Sequence, residues 1–172
     1  MSGDRRFSAQ GARRLLTVDG KRWTELFRSR PPPGRLAVVG ALTVPVSMLF
    51  PWYGIQFGPG LSQTGFDSFG LGELALLLTV GAAVYLIARC AGGSELPRPL
   101  REGSLLAVAG AWSAVLVGYL MLDKPDDISG FTNIHLRYGI FVALGGSLAL
   151  LVGGLRLRRD EVVAERRRGE RR

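Results

Sequence analysis

The residues able to do acid–base, nucleophilic or metal chemistry are few and far apart. The chain has one His, His135, and one Cys, Cys90. A Cys–His dyad or a zinc site needs such groups side by side. Here Cys90 closes an apolar block behind Arg89, whereas His135 lies in a later polar connection. Carboxylates gather around two connections instead: Asp67 and Glu73 at the first, Asp123, Asp126 and Asp127 beside His135 at the second. Oxygens in that number could hold a divalent cation. A connection that rejects basic residues accumulates acids in any case, so solvated carboxylates are the simpler expectation. The sequence has no P-loop, no glycine-rich dinucleotide turn and no HExxH. The expectation is a non-enzymatic chain with no catalytic residues, no metal and no cofactor.

The elements that hold these residues apart carry the stronger signal. Apolar blocks run over residues 36–55, 71–89, 104–122 and 138–156, with Lys or Arg only at the closing positions Arg89 and Arg156. The mean hydropathy of +0.20 conceals them, because the polar ends dilute the middle. A bilayer core of about 30 Å takes about 20 helical residues. Soluble bundle helices would each show a polar stripe, and these do not. The fold class expected is all-α: a four-transmembrane-helix bundle over residues 36–157. A basic cytoplasmic segment, 1–35, precedes it and a charged cytoplasmic tail, 158–172, follows. The hydrophilic lead before residue 36 and the lack of an A-x-A-like site argue against a cleaved signal peptide.

Charge sets the orientation. The N-terminal segment, the 89–103 connection and the tail hold twenty of the 22 Lys and Arg; the other two connections hold only Lys124 and Arg137. The positive-inside rule therefore puts both termini in the cytoplasm of a multi-pass cell-membrane protein. Bases flanking spans also attract anionic lipid, which accounts for the high pI without nucleic acid. "LLTVDGKRWTELF" in the N-terminal segment fits either a short interfacial helix or an unstructured lead, and the tail reads as a charged extension of the last helix.

Pro51–Gly70 lacks bases because it must be carried across. Its aromatics match an interfacial belt, with Trp52 and Tyr53 ending the first span and Tyr138 opening the last. We expect residues 56–69 to fold over the mouth of the bundle, with Phe66 and Phe69 buried and Asp67 outward, paired to Arg137. Trp52, Tyr53, Phe66, Asp67, Phe69, His135 and Arg137 are thus the candidate outer-face interaction residues. Within the membrane, close helix approach needs small residues at i, i+4 spacing. Gly110, Ala114 and Gly118 form one such stripe and Gly145, Ala149 and Gly153 another, which predicts contact between the third and fourth spans. Pro45 should kink the first, with Thr43 and Ser47 able to satisfy the loosened backbone. "TGFDS" and "SGFTN" recur in the two outer connections, but the flanking spans do not repeat.

"LFPWYG" closing the first span, "GFDSFGLGELALLL" opening the second and "LRYGIFVALGGSLALLVGG" forming the fourth resemble a group of small four-span membrane proteins of actinobacteria. The likeness covers about residues 36–157. That group has no assigned activity, so the resemblance implies a fold and no site residues. Its expected surroundings are the bilayer and copies of itself or other membrane proteins. Two functions follow from the sequence: a non-enzymatic accessory or interaction component, or an oligomeric transport or permeation subunit. The second requires Thr43, Ser47, Thr79, Ser113 and Ser147 to face one cavity.

Overall fold

The structure, a computed structural model, describes residues 28, 30–55, 62–67, 70–91, 101–123 and 134–170. Phe69, Lys124, Asp126, Asp127, the "SGFTN" segment, the N-terminal amphipathic stretch and most of the expected 56–69 cap lie outside them. The compact unit spans Pro31–Arg172. In chain order it comprises α1 (Pro32–Ser47), β1 (Pro51–Ile55), β2 (Ser62–Thr64), α2 (Leu71–Ala91), α3 (Glu102–Leu122), β3 (Ile134–Leu136) and α4 (Tyr138–Gly169). The helices α2, α3 and α4 are long and apolar enough to cross a membrane.

The first apolar block departs from expectation. It is helical for 16 residues, from Pro32 to Ser47, and does not continue to residue 55. Proline at the first helical positions suits the start, where an N–H would be unpaired anyway. The stop is also proline's doing. A helix through Pro51 would drive its ring into the Ser47 carbonyl and disfavour the helical region at Phe50. Met48, Leu49 and Phe50 instead close i+3 turns onto Pro45, Val46 and Ser47. The Trp52 indole then donates to the Ser47 carbonyl at 2.8 Å, capping the helix end with a side chain. At Pro45 the hydroxyls are spent elsewhere: Thr43 donates to Val39 and Ser47 to Val44. Each has one hydrogen, so neither serves the Ala41 carbonyl that Pro45 leaves without its usual donor.

Strand β1 is central in a small antiparallel sheet of order β2-β1-β3. Tyr53 faces Gln63 on one side and Leu136 on the other; Gly54 faces Ser62 and His135. The expected all-α chain therefore carries a sheet at the end of its bundle, joining the two connections read as outer loops.

Helix α4 is the hub, with α1 on one face and α3 on another. A Cβ on Gly40 of α1 would lie 2.6 Å from the Gly146 carbonyl oxygen, and one on Gly153 would lie 2.6 Å from the Ala37 nitrogen. Toward α3, a Cβ on Gly110 would meet the Leu151 Cα at 2.6 Å, and one on Gly154 the Ala107 Cα at 2.8 Å. The two expected stripes are thus only partly right. Gly110 does meet α4, but Ala149 and Gly153 face α1, and a Cβ on Gly118 or Gly145 would touch nothing within 4 Å. Ala114 is half-buried. The reason is that a shared helix face is not a contact: Gly145 is exposed and Gly118 only half-buried, and neither lies opposite a neighbouring helix.

Candidate functional site

The sheet end of the bundle collects most of the candidate residues. Trp52 and Tyr53 are both 0% exposed, so they are core residues and not an interfacial belt. Their polar atoms are satisfied inside, Trp52 at Ser47 and Tyr53 at the Leu120 carbonyl, 2.7 Å away. The Tyr53 hydroxyl is thus a donor that pins β1 to α3. The residues that do sit as a belt would are Phe50 and Tyr138, both substantially exposed, with ring centroids 5.8 Å apart.

A register irregularity between Pro51 and Tyr53 lets Trp52 turn inward beside Tyr53, and from Tyr53 onward alternation sorts the sheet's two faces. Tyr53 points into the bundle with its partners Gln63 and Leu136. Gly54, Ser62 and His135 take the opposite face. Arg137 lies there as well: a Cβ on Gly54 would run into its guanidinium, with the Cζ and Nη2 atoms 3.1 Å away. A glycine inside a strand weakens it unless another group must come close. Here that group is an arginine.

The expected pair between Asp67 and Arg137 does not form. Asp67 accepts from the Thr64 N–H at 2.9 Å and the Thr64 hydroxyl at 2.8 Å. Those two bonds, the backbone one first, hold its carboxyl below the ordinary range. As expected, Asp67 is exposed; Phe66, expected to be buried, is 43% exposed. Glu73 is 4% exposed, and its carboxylate accepts from the Gly70 N–H at the start of α2. Among the described residues no three His, Cys, Asp or Glu side chains group to hold a metal. Cys90, in the last turn of α2, sits at the opposite end of the bundle from His135.

A second cluster, which charge counting did not disclose, ties the tail to the other end of the bundle. Helix α4 continues unbroken to Gly169, about 48 Å in all against a bilayer core of about 30 Å. Its extension bonds to the start of α3. Glu161 accepts from the Gly103 N–H, one of that helix's orphan donors, and Glu165 pairs with Arg101 at 2.6 Å. Burial raises the Glu161 carboxyl above the ordinary range, against the opposing pull of the Gly103 N–H. An acid whose folded pKa is raised favours folding below its unfolded pKa, and that contribution is lost as pH rises through the folded value. Glu161→Gln keeps the acceptor and removes the charge. Its melting temperature at neutral pH should match or exceed that of the natural chain. The natural chain should lose stability relative to it as pH climbs just above the usual carboxylate range. Glu161→Leu, which strands the Gly103 N–H, should melt lower; equal melting of Leu and Gln variants at neutral pH would show the bond contributes nothing.

No protein-family model matches the chain, no curated protein matches it, and no solved structure matches it. The functional reading therefore rests on this geometry.

Proposed function

We propose that the chain is a four-span cell-membrane protein with both termini cytoplasmic, a non-enzymatic component that engages a partner through its outer sheet. The observation that carries this is the pairing of β1 with both β2 and β3. It converts two connections into one ordered platform, fixed from beneath by Trp52 and Tyr53 and presenting Ser62, His135 and Arg137 outward. Loops with no task beyond linking helices need no such platform. The permeation alternative finds less support. Thr43, Ser47, Thr79 and Ser147 each donate to a carbonyl of their own helix, which spends the donors of four of the five hydroxyls a polar path would use; the fifth, Ser113, is buried without a partner.

Two measurements test the reading together. A photo-crosslinking residue at Ser62 or His135 should give a discrete adduct in native membranes. The same residue at Leu78, exposed on α2 and expected to face lipid, should not. Sealed liposomes carrying the purified chain should pass ions no faster than empty ones. Ion flux without an adduct would replace the interaction reading with the permeation one.

A further inference from the structure

Arg137 is a cation with no counter-charge among the described residues. Asp67 is committed to Thr64 and Glu73 to Gly70. Its Nε is buried with no hydrogen-bond partner, although the residue as a whole is partly exposed. An Nε–H in that state has lost hydration and gained no acceptor, which is costly for a charged donor, while the rest of the partly exposed side chain stays open to a ligand. Its place is held on purpose by Gly54, which has an ordinary strand conformation and no need of glycine except for the space. The backbone end is also fixed, since the Arg137 N–H donates to the Trp52 carbonyl at 2.8 Å. Immediately beside it, the exposed rings of Tyr138 and Phe50 mark, on the membrane reading above, the depth of lipid headgroups. The anion abundant at that depth is phosphate, whose oxygens match the arginine fork.

We propose that Arg137, laid across Gly54 on the outer face of the sheet, is a phosphate-binding residue. The phosphate comes from a phospholipid head or from solution. This rests on the outward orientation of the sheet and adds a ligand to that platform. The bound anion supplies a counter-charge that no described residue provides, and it sets the sheet at headgroup level.

The test follows the Arg137 side chain itself, because the many cytoplasmic arginines would obscure a bulk lipid-binding signal. The full chain, labelled with 15N-arginine in a nonionic detergent, is titrated with phosphatidylglycerol, with inorganic phosphate and with diacylglycerol, and the Nε–H resonance of Arg137 is followed. Loss of that resonance in Arg137→Gln assigns it. A saturable shift with phosphatidylglycerol alone identifies a lipid phosphate; a shift with inorganic phosphate as well identifies phosphate from either source. Gly54→Ala keeps the charge and displaces the guanidinium, and should weaken binding about tenfold or more. Arg137→Lys keeps the charge without the fork and should weaken it similarly. No shift in the natural chain, an equal shift with diacylglycerol, or natural affinity in both variants overturns the proposal. A missing shift alongside an intact Ser62 or His135 adduct overturns the phosphate site alone and leaves the interaction platform standing.

Discussion

Leucine at Gly40, Gly110 or Gly153 is expected to cost about 3 kcal/mol or more each, while leucine at Gly118 or Gly145 is expected to change stability by no more than about 0.5 kcal/mol. The difference rests on what a side chain would meet. At Gly153 the obstacle is the Ala37 backbone, with N at 2.6 Å and Cα at 2.9 Å; at Gly110 it is Leu151 Cα at 2.6 Å. Backbone cannot swing aside as a flexible side chain can, so the whole of α1 or α3 must move away from α4. In lipid no hydrophobic drive returns the helices, because tails solvate leucine as well as the neighbour does. At Gly118 and Gly145 the added atoms meet open space, and leucine's better helix propensity works in their favour. Thermal unfolding in mild detergent separates the two groups. Equal melting of Gly153→Leu and Gly118→Leu would mean that the helices do not approach as closely as these glycines allow.

That contrast marks how far the sequence could be read. The long apolar blocks were legible because bilayer thickness imposes a length that no local detail overrides, and α2, α3 and α4 follow it. The i, i+4 stripes were legible as faces but not as contacts. A helical period shows which residues share a side, and α4 needs two such sides, one toward Gly40 and Ala37, another toward Ala107 and Gly110. The end of α1 was also within reach, since Pro51 disfavours helical backbone at Phe50 and a helix continued through it would clash with the Ser47 carbonyl. Hydropathy alone runs past it, because Trp52 and Tyr53 are apolar whether helical or extended. The sheet was hidden for a different reason. β1 pairs with β3 across two intervening helices, and "PWYGI" against "IHL" has neither a tight turn nor a clean alternation to announce the match. Aromatics at a span end fit a lipid belt or a core equally well, and only the pairing of β1 decides that Trp52 and Tyr53 are core. The Asp67–Arg137 pair failed against local chemistry: Thr64, three residues earlier, offers two donors at no loop-closure cost.

A reporter active only outside the cytoplasm should be active when fused after Ser62 or Ser129, and silent after Glu95, after Arg172 or at the N-terminus. Each arm has its own reason. On the proposed topology, the pairing of β1 with β3 keeps residues 51–55 and 134–136 on one side of the membrane, with α2 and α3 between them as a returning pair. Helix α4 then leaves that side once, carrying the tail and its six described arginines from Arg156 to Arg168 to the opposite face. By the positive-inside rule, the distribution of bases argues for that face as the cytoplasm in the proposed topology. The least constrained arm is the N-terminus. Helix α1 is about 24 Å long, shorter than the core it would cross as the proposed fourth span. Its contacts supply the missing depth: Ala37 lies against Gly153, Gly40 against Gly146, and Trp52 against Gly139. The segment from Ala37 to Trp52 therefore runs alongside α4 through most of the apolar length of that helix, with the turn and buried β1 aromatics completing what the helix leaves short. A crossing α1 also keeps nine bases on the cytoplasmic side, whereas an α1 that did not cross would strand them outside. An active N-terminal reporter with the other four sites as stated would remove α1 from the spans and leave three. An active reporter after Arg172 would overturn the orientation altogether.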